Sequence, residues 1–96
     1  MKHCILSKFK EEEKENILTY LPDIKEIFNQ TLEIEGIHKI DYHLNCIDRE
    51  NRYHLLIEID MEESALPIYD KSVPHKLWKE KYGDKLEKKA IFDFND

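Results

Sequence analysis

Two glycines, three prolines and two cysteines are all that this 96-residue chain holds of the residue types that most constrain a backbone. So few breakers exclude a glycine- or proline-rich linker and leave room for long uninterrupted elements. Cys4 and Cys46 form no C-x-x-C pair and share no cysteine–histidine spacing of a zinc knuckle, so they read as reduced thiols. No run of about eighteen apolar residues occurs, which argues against a membrane-spanning helix. The opening MKHCILSKFKEEE is too short and too interrupted for a signal peptide, and with reduced thiols this points to the cytoplasm. Positive charge is also scarce: 15 Lys and Arg face 21 Asp and Glu, for a net charge of -6. Nucleic-acid binding rests on clustered cations, so that balance argues against a nucleic-acid partner.

What remains is a chain with 41% hydrophobic and 10% aromatic residues, enough for one core and a single domain over residues 1–96. HCILSKF (3–9) is rich in strand formers, with Cys4 and Leu6 on one face and Ile5 and Phe9 on the other. The period then changes. Ile17, Leu21, Ile24 and Phe28, flanked by Leu18, Ile27 and Leu32, form a helical stripe, and Pro22 inside it predicts a kink or a restart. The acid-rich FKEEEKEN before it reads as a solvated helix start. Gly36 suits the helix exit. IHKIDYHLN gives a second strand with Ile40, Tyr42 and Leu44 on one side, and after DRENR the stretch YHLLIEID returns as a third, with Tyr53, Leu55, Ile57 and Ile59 on one face. A second helical region starts near Ser64 as N-cap with Pro67 in its first turn, pauses at KSVP, and resumes at Pro74. His75, Trp78, Tyr82 and Leu86 recur along it to an end near Lys88, and AIFDF makes a fourth strand.

Strand, helix, strand, strand, helix, strand is the α+β, ferredoxin-like βαββαβ order. It predicts a four-stranded antiparallel sheet with both helices on one face, because each crossover is right-handed. Strands one and three carry apolar residues on both faces, so the uncovered face predicts a patch that a monomer rarely tolerates. A second copy packing sheet against sheet is the expected cover, which makes the chain's first partner itself, as a homodimer.

Three stretches in order, KHCILSKFK, SVPHKLW and AIFDF, resemble the opening strand, the HPAH helix start and the closing strand of the stress-responsive dimeric α/β-barrel (Dabb) family. That resemblance implies a dimeric α/β barrel of two ferredoxin-like protomers. The family includes plant polyketide (olivetolic acid) cyclases, which close a linear polyketide by intramolecular aldol condensation without metal or cofactor. Carried over, their general base matches His75, and the substrate-holding tyrosine six residues before it matches Tyr69. Two further cavity histidines match His3 and His54. The sequence departs from HPAH at Ser72, which replaces the first histidine, and at Pro74, which displaces the small alanine.

The residues carry their own reading beside the resemblance. His75 lies in a first helical turn, where free N–H groups and the dipole disfavour imidazolium, so the ring should be neutral and able to accept a proton. Trp78 shares its stripe, so His75 should point inward, towards space where Tyr69 could donate a hydrogen bond to a forming enolate. The plainer reading makes His75 a ring satisfying a backbone carbonyl, His3 and His54 half-buried strand residues, and the Trp78 stripe core packing. No metal site is expected, since His38 and His43 lie five apart on a strand, on opposite faces, and no H-E-x-x-H occurs. No cofactor is implied. Two functions compete: a small-molecule enzyme or binding protein for an apolar carbonyl compound, and a non-catalytic structural or ligand-carrier dimer. They part on whether Trp78, Tyr82 and Phe28 fill the space.

Overall fold

The computed structural model describes residues 1–96. In chain order it places β1 (Lys2–Phe9), α1 (Ile17–Asn29), β2 (Ile37–Leu44), β3 (Leu55–Met61), α2 (Leu66–Asp70), α3 (Val73–Tyr82) and β4 (Leu86–Phe94). The sheet order is β2-β3-β1-β4 with every neighbouring pair antiparallel. This is the ferredoxin-like βαββαβ arrangement that the sequence predicts, with the second helical segment divided into α2 and α3.

Register explains the core. Ile5 pairs with Ile57 on one side and Ile91 on the other, and directly opposed residues share a face. Leu55, Ile57, Ile59 and Met61 of β3 alternate onto the helix-covered side and are fully buried against Ile24, Ile27 and Phe28 of α1 and Trp78 and Tyr82 of α3. On β2 a register shift between Ile37 and Lys39 puts both Ile37 and Ile40 against the core despite their odd spacing. Gly36 before it has φ of 94°, the left-handed conformation that a helix exit favours in glycine.

Four boundaries differ from the sequence reading. First, α1 runs through Pro22 without a restart. Pro22 and Leu18 are exposed, so the Leu18 carbonyl, which loses its donor to the proline, belongs to a residue that solvent reaches, and Leu18 and Leu32 lie outside the buried stripe. Second, Ser64 caps nothing, because it sits inside a 3-10 turn (Glu63–Ala65) that leads into α2. Third, β3 begins at Leu55, and Tyr53 and His54 belong to its approach. Fourth, α3 stops at Tyr82; Gly83 opens a short turn and Leu86 already pairs with Phe9. Pairing along almost all of β1 outweighs one more helical turn, so Leu86 is a strand residue.

No helix covers the other face of the sheet. Cys4 and Leu6 of β1, Leu56 of β3 and Ala90, Phe92 and Phe94 of β4 point there by register, beside the Lys2 ion pairs with Glu58 and Asp60. Phe92 is 63% exposed, so β4 rather than β3 supplies most of the uncovered aromatic surface. No helix is long and apolar enough to cross a membrane.

Candidate functional site

Ser72 organises the start of α3. Its extended backbone makes it the N-cap, its hydroxyl donates to the Tyr69 carbonyl at 2.7 Å, and the same oxygen accepts the His75 N–H at 3.3 Å. A cap of this kind satisfies a donor that the first helical turn leaves free. Tyr69 and His75 are thereby fixed on either side of one turn, with ring centroids 4.9 Å apart.

The His75 ring then orients itself by its own hydrogen bond. Nδ1 lies 3.0 Å from the Asp70 carbonyl oxygen. A carbonyl only accepts, so Nδ1 carries the proton and Nε2 keeps its lone pair. Burial, followed by the nearby Lys79 ammonium, holds this histidine below its ordinary value against the opposing pull of Asp70. The result is a neutral imidazole with a free basic nitrogen.

The first and last strands bring a second histidine to the same place. His3 pairs with Asp93 across β1 and β4, and its Nδ1 donates to the Asp93 carboxylate at 2.5 Å. The His3 ring also meets Tyr69 edge-on, at 5.3 Å between centroids. A cavity of about 310 Å³ opens here, lined among others by His3, Ile5, Tyr69, His75, Trp78 and Ile91. Trp78 leans on Phe28 (5.1 Å) and Tyr82 (5.6 Å), and the Tyr82 hydroxyl donates to Asp23 at 2.5 Å. Trp78 lines the cavity, and Phe28 and Tyr82 do not.

Tyr69 is the least comfortable group in the wall. It is 1% exposed and its hydroxyl, buried from solvent, has no hydrogen-bond partner. Burial, with a smaller contribution from Asp70, pushes the phenol well above its ordinary value, so it stays a donor. An unpaired buried donor costs roughly 1–3 kcal/mol, which a ligand oxygen or a small shift of the neighbouring rings would recover.

Of the five residues singled out from the sequence, His3, Tyr69, His75 and Trp78 line this one cavity, and His54 does not. His54 sits at the other end of β1, where its Nδ1 accepts the Phe9 N–H at 2.9 Å. Sequence reasoning missed Asp70, whose carbonyl sets the His75 tautomer, and Asp93, Lys79 and Lys89, which also line the cavity. The alternation Lys89, Ile91, Asp93 carries the signal for three of the wall positions once β4 is taken to begin at Leu86. No three of the His, Cys, Asp and Glu side chains converge as a metal site.

No family model matches the sequence, and no curated protein matches it either. Solved structures do. A Dabb family protein with a ferredoxin-like fold from Mesorhizobium loti superposes with a TM-score of 0.75 at 18% identity, over 99% of this chain and 94% of that one. The chain has the ferredoxin-like fold of a Dabb protein. A dimeric ferredoxin-like protein of unknown function from Bacteroides fragilis shares this Dabb-like fold with a TM-score of 0.78 at 19% identity, over 99% and 94% of the two chains. The hydroxynitrile lyase of Passiflora edulis does so with a TM-score of 0.73 at 11% identity, over 97% and 89%.

Proposed function

We propose that this chain is a single-domain Dabb-type protein of the cytoplasm that acts as a homodimer and performs acid–base chemistry on a small, largely apolar carbonyl compound. The observation that carries the reading is that one cavity is lined by both a neutral histidine with a free Nε2 and a buried tyrosine whose phenol proton is unused. His75 removes a proton alpha to the carbonyl, and Tyr69 donates a hydrogen bond to the enolate oxygen as its negative charge develops. His3, held by Asp93, and Trp78 bound the substrate. The enolate carbon then attacks a second carbonyl carbon of the same molecule, that carbonyl's π bond opening to an alkoxide, and His75 returns its proton to the alkoxide oxygen. This is a cyclase-type step, and its reverse, which breaks the C–C bond, is lyase-type. No cofactor is part of this scheme. Support for the dimer comes from the uncovered Phe92 and Phe94 face and from same-fold proteins described as dimeric. Both cysteines are free, in keeping with a reducing compartment.

A ligand-carrier dimer is the second reading, favoured by the depth of the Tyr69 hydroxyl, which a ligand reaches only after a neighbouring ring moves. One experiment separates the two. Methyl 4-acetylbenzoate, a neutral ketone, is incubated with the protein in D2O and its acetyl protons are followed by NMR. Exchange above the buffer rate that disappears in His75→Ala supports catalysis. Binding with no added exchange leaves only the carrier. Native mass spectrometry reads the assembly, with the expected mass twice that of the 11.6 kDa chain.

A further inference from the structure

The cavity has two ends of unlike chemistry. Along β4, Lys89, Ile91 and Asp93 alternate onto the helix-covered side and all line it. Asp93 stands at the His3 end, and Lys89 lies four residues away, roughly 13 Å along the strand. On α3, Lys79 follows His75 by one turn on the same face, about 6 Å further along the axis, and lines the cavity too. Two ammonium groups therefore share one end while the histidines and Tyr69 hold the other.

Nothing in the chain answers those two charges. Lys79 and Lys89, both exposed, have no ion-pair partner, as is true of six further lysines; what sets these two apart is that both line one cavity. The two carboxylates that face the cavity are not available to them: Asp93 is engaged by His3, and Asp70 forms no ion pair with either lysine. Burial and the Lys79 charge together pull the Lys89 ammonium below its ordinary value, which records the cost of the arrangement. Two unpaired cations that line one cavity can receive an anion from outside the chain. At the opposite end the buried Tyr69 hydroxyl has no partner within the chain and so has a proton to offer a ligand oxygen.

We infer that the ligand is an oxo-carboxylate, its carboxylate lying between Lys79 and Lys89 and its carbonyl between His75 and Tyr69. This deepens the preceding reading and rests on it. The hydrocarbon body lies over Ile5, Ile91 and Trp78, and the separation of the lysines from His75 sets the distance between the two oxygenated groups. Lys79 and Lys89 are specificity residues here, and neither takes part in proton transfer.

The test compares 4-acetylbenzoate with its methyl ester, in which one added methyl group removes the charge. Both are titrated by NMR at pH 7 and low salt into the full chain, the Lys79→Met/Lys89→Met double variant and, as a control on the outer side of α3, Lys76→Met. The acid is expected to bind about two- to fivefold more tightly than the ester, the upper range of an exposed ion pair. The double variant should lose that preference, read as the ratio of the two affinities, while Lys76→Met should keep it. Equal affinity of the two compounds for the unaltered chain, or a preference that survives the double variant, overturns the inference. Ester binding and exchange without any acid preference would remove the anion end and leave the acid–base reading intact. A lysine-dependent acid preference without exchange would do the reverse, and binding of neither compound overturns both.

Discussion

His54 and His75 stand near opposite ends of the sheet, both half-buried and both held by burial below the ordinary histidine value, yet they use the same nitrogen in opposite ways. The Nδ1 of His54 accepts a backbone N–H from Phe9, so its proton must sit on Nε2 and its basic lone pair is spent inside the fold. The Nδ1 of His75 donates to the Asp70 carbonyl, which leaves the basic lone pair on Nε2 of a ring that lines a cavity. A lowered pKa therefore does not distinguish a base from a brace. The backbone partner does, because a donor and an acceptor select opposite tautomers.

The strongest way to break this comparison is kinetic. With methyl 4-acetylbenzoate as probe, His75→Ala should slow acetyl-proton exchange by about 10²–10⁴-fold, the usual contribution of a general base, while His54→Ala should keep the rate below its melting temperature. Equal losses in the two variants would end the distinction. Stability should show the opposite ranking. Removing His54 leaves the Phe9 N–H without its acceptor beside a fully buried ring and should cost about 1–3 kcal/mol in urea unfolding, against about 1 kcal/mol or less for His75→Ala.

The pH dependence sharpens it further. Both histidines have a lower pKa folded than unfolded, so the stability they contribute is complete above the unfolded value of about 6.5 and is lost as pH falls through the folded values. His54→Ala should flatten the acid limb of a denaturation series, and the exchange rate should hold to a lower pH than a free imidazole permits. Smallest is Tyr69→Phe. Deleting a hydroxyl that has no partner should leave stability unchanged or raise it by up to about 1 kcal/mol, while exchange still slows. A clear loss of stability would show that the hydroxyl already has a partner in solution.

The element order and the faces of β1 and β3 were legible in the sequence because alternation and helical periodicity report burial directly. The α3 end was not, since the stripe through Leu86 continues in phase and only pairing with β1 claims that residue for β4. Tyr69 and His75 could be linked along the chain because one turn separates them. His3 and Asp93 lie 90 residues apart, and only the β1–β4 register brings them together. His54 illustrates the limit from the other side: strand parity gives the face of a ring, and the state of each nitrogen depends on which backbone group it meets.

Ser72 holds the carbonyl of Tyr69 and the N–H of His75 through one oxygen, and it touches the cavity chemistry only through the backbone of those two residues. The chain has in this way separated a frame from a lining. Lys79, Lys89 and Ile91 can each be exchanged without disturbing the frame, whereas a change at Ser72 displaces Tyr69 and His75 together. Variation among descendants of this protein should therefore spread over the lining first, with position 72 among the last to drift.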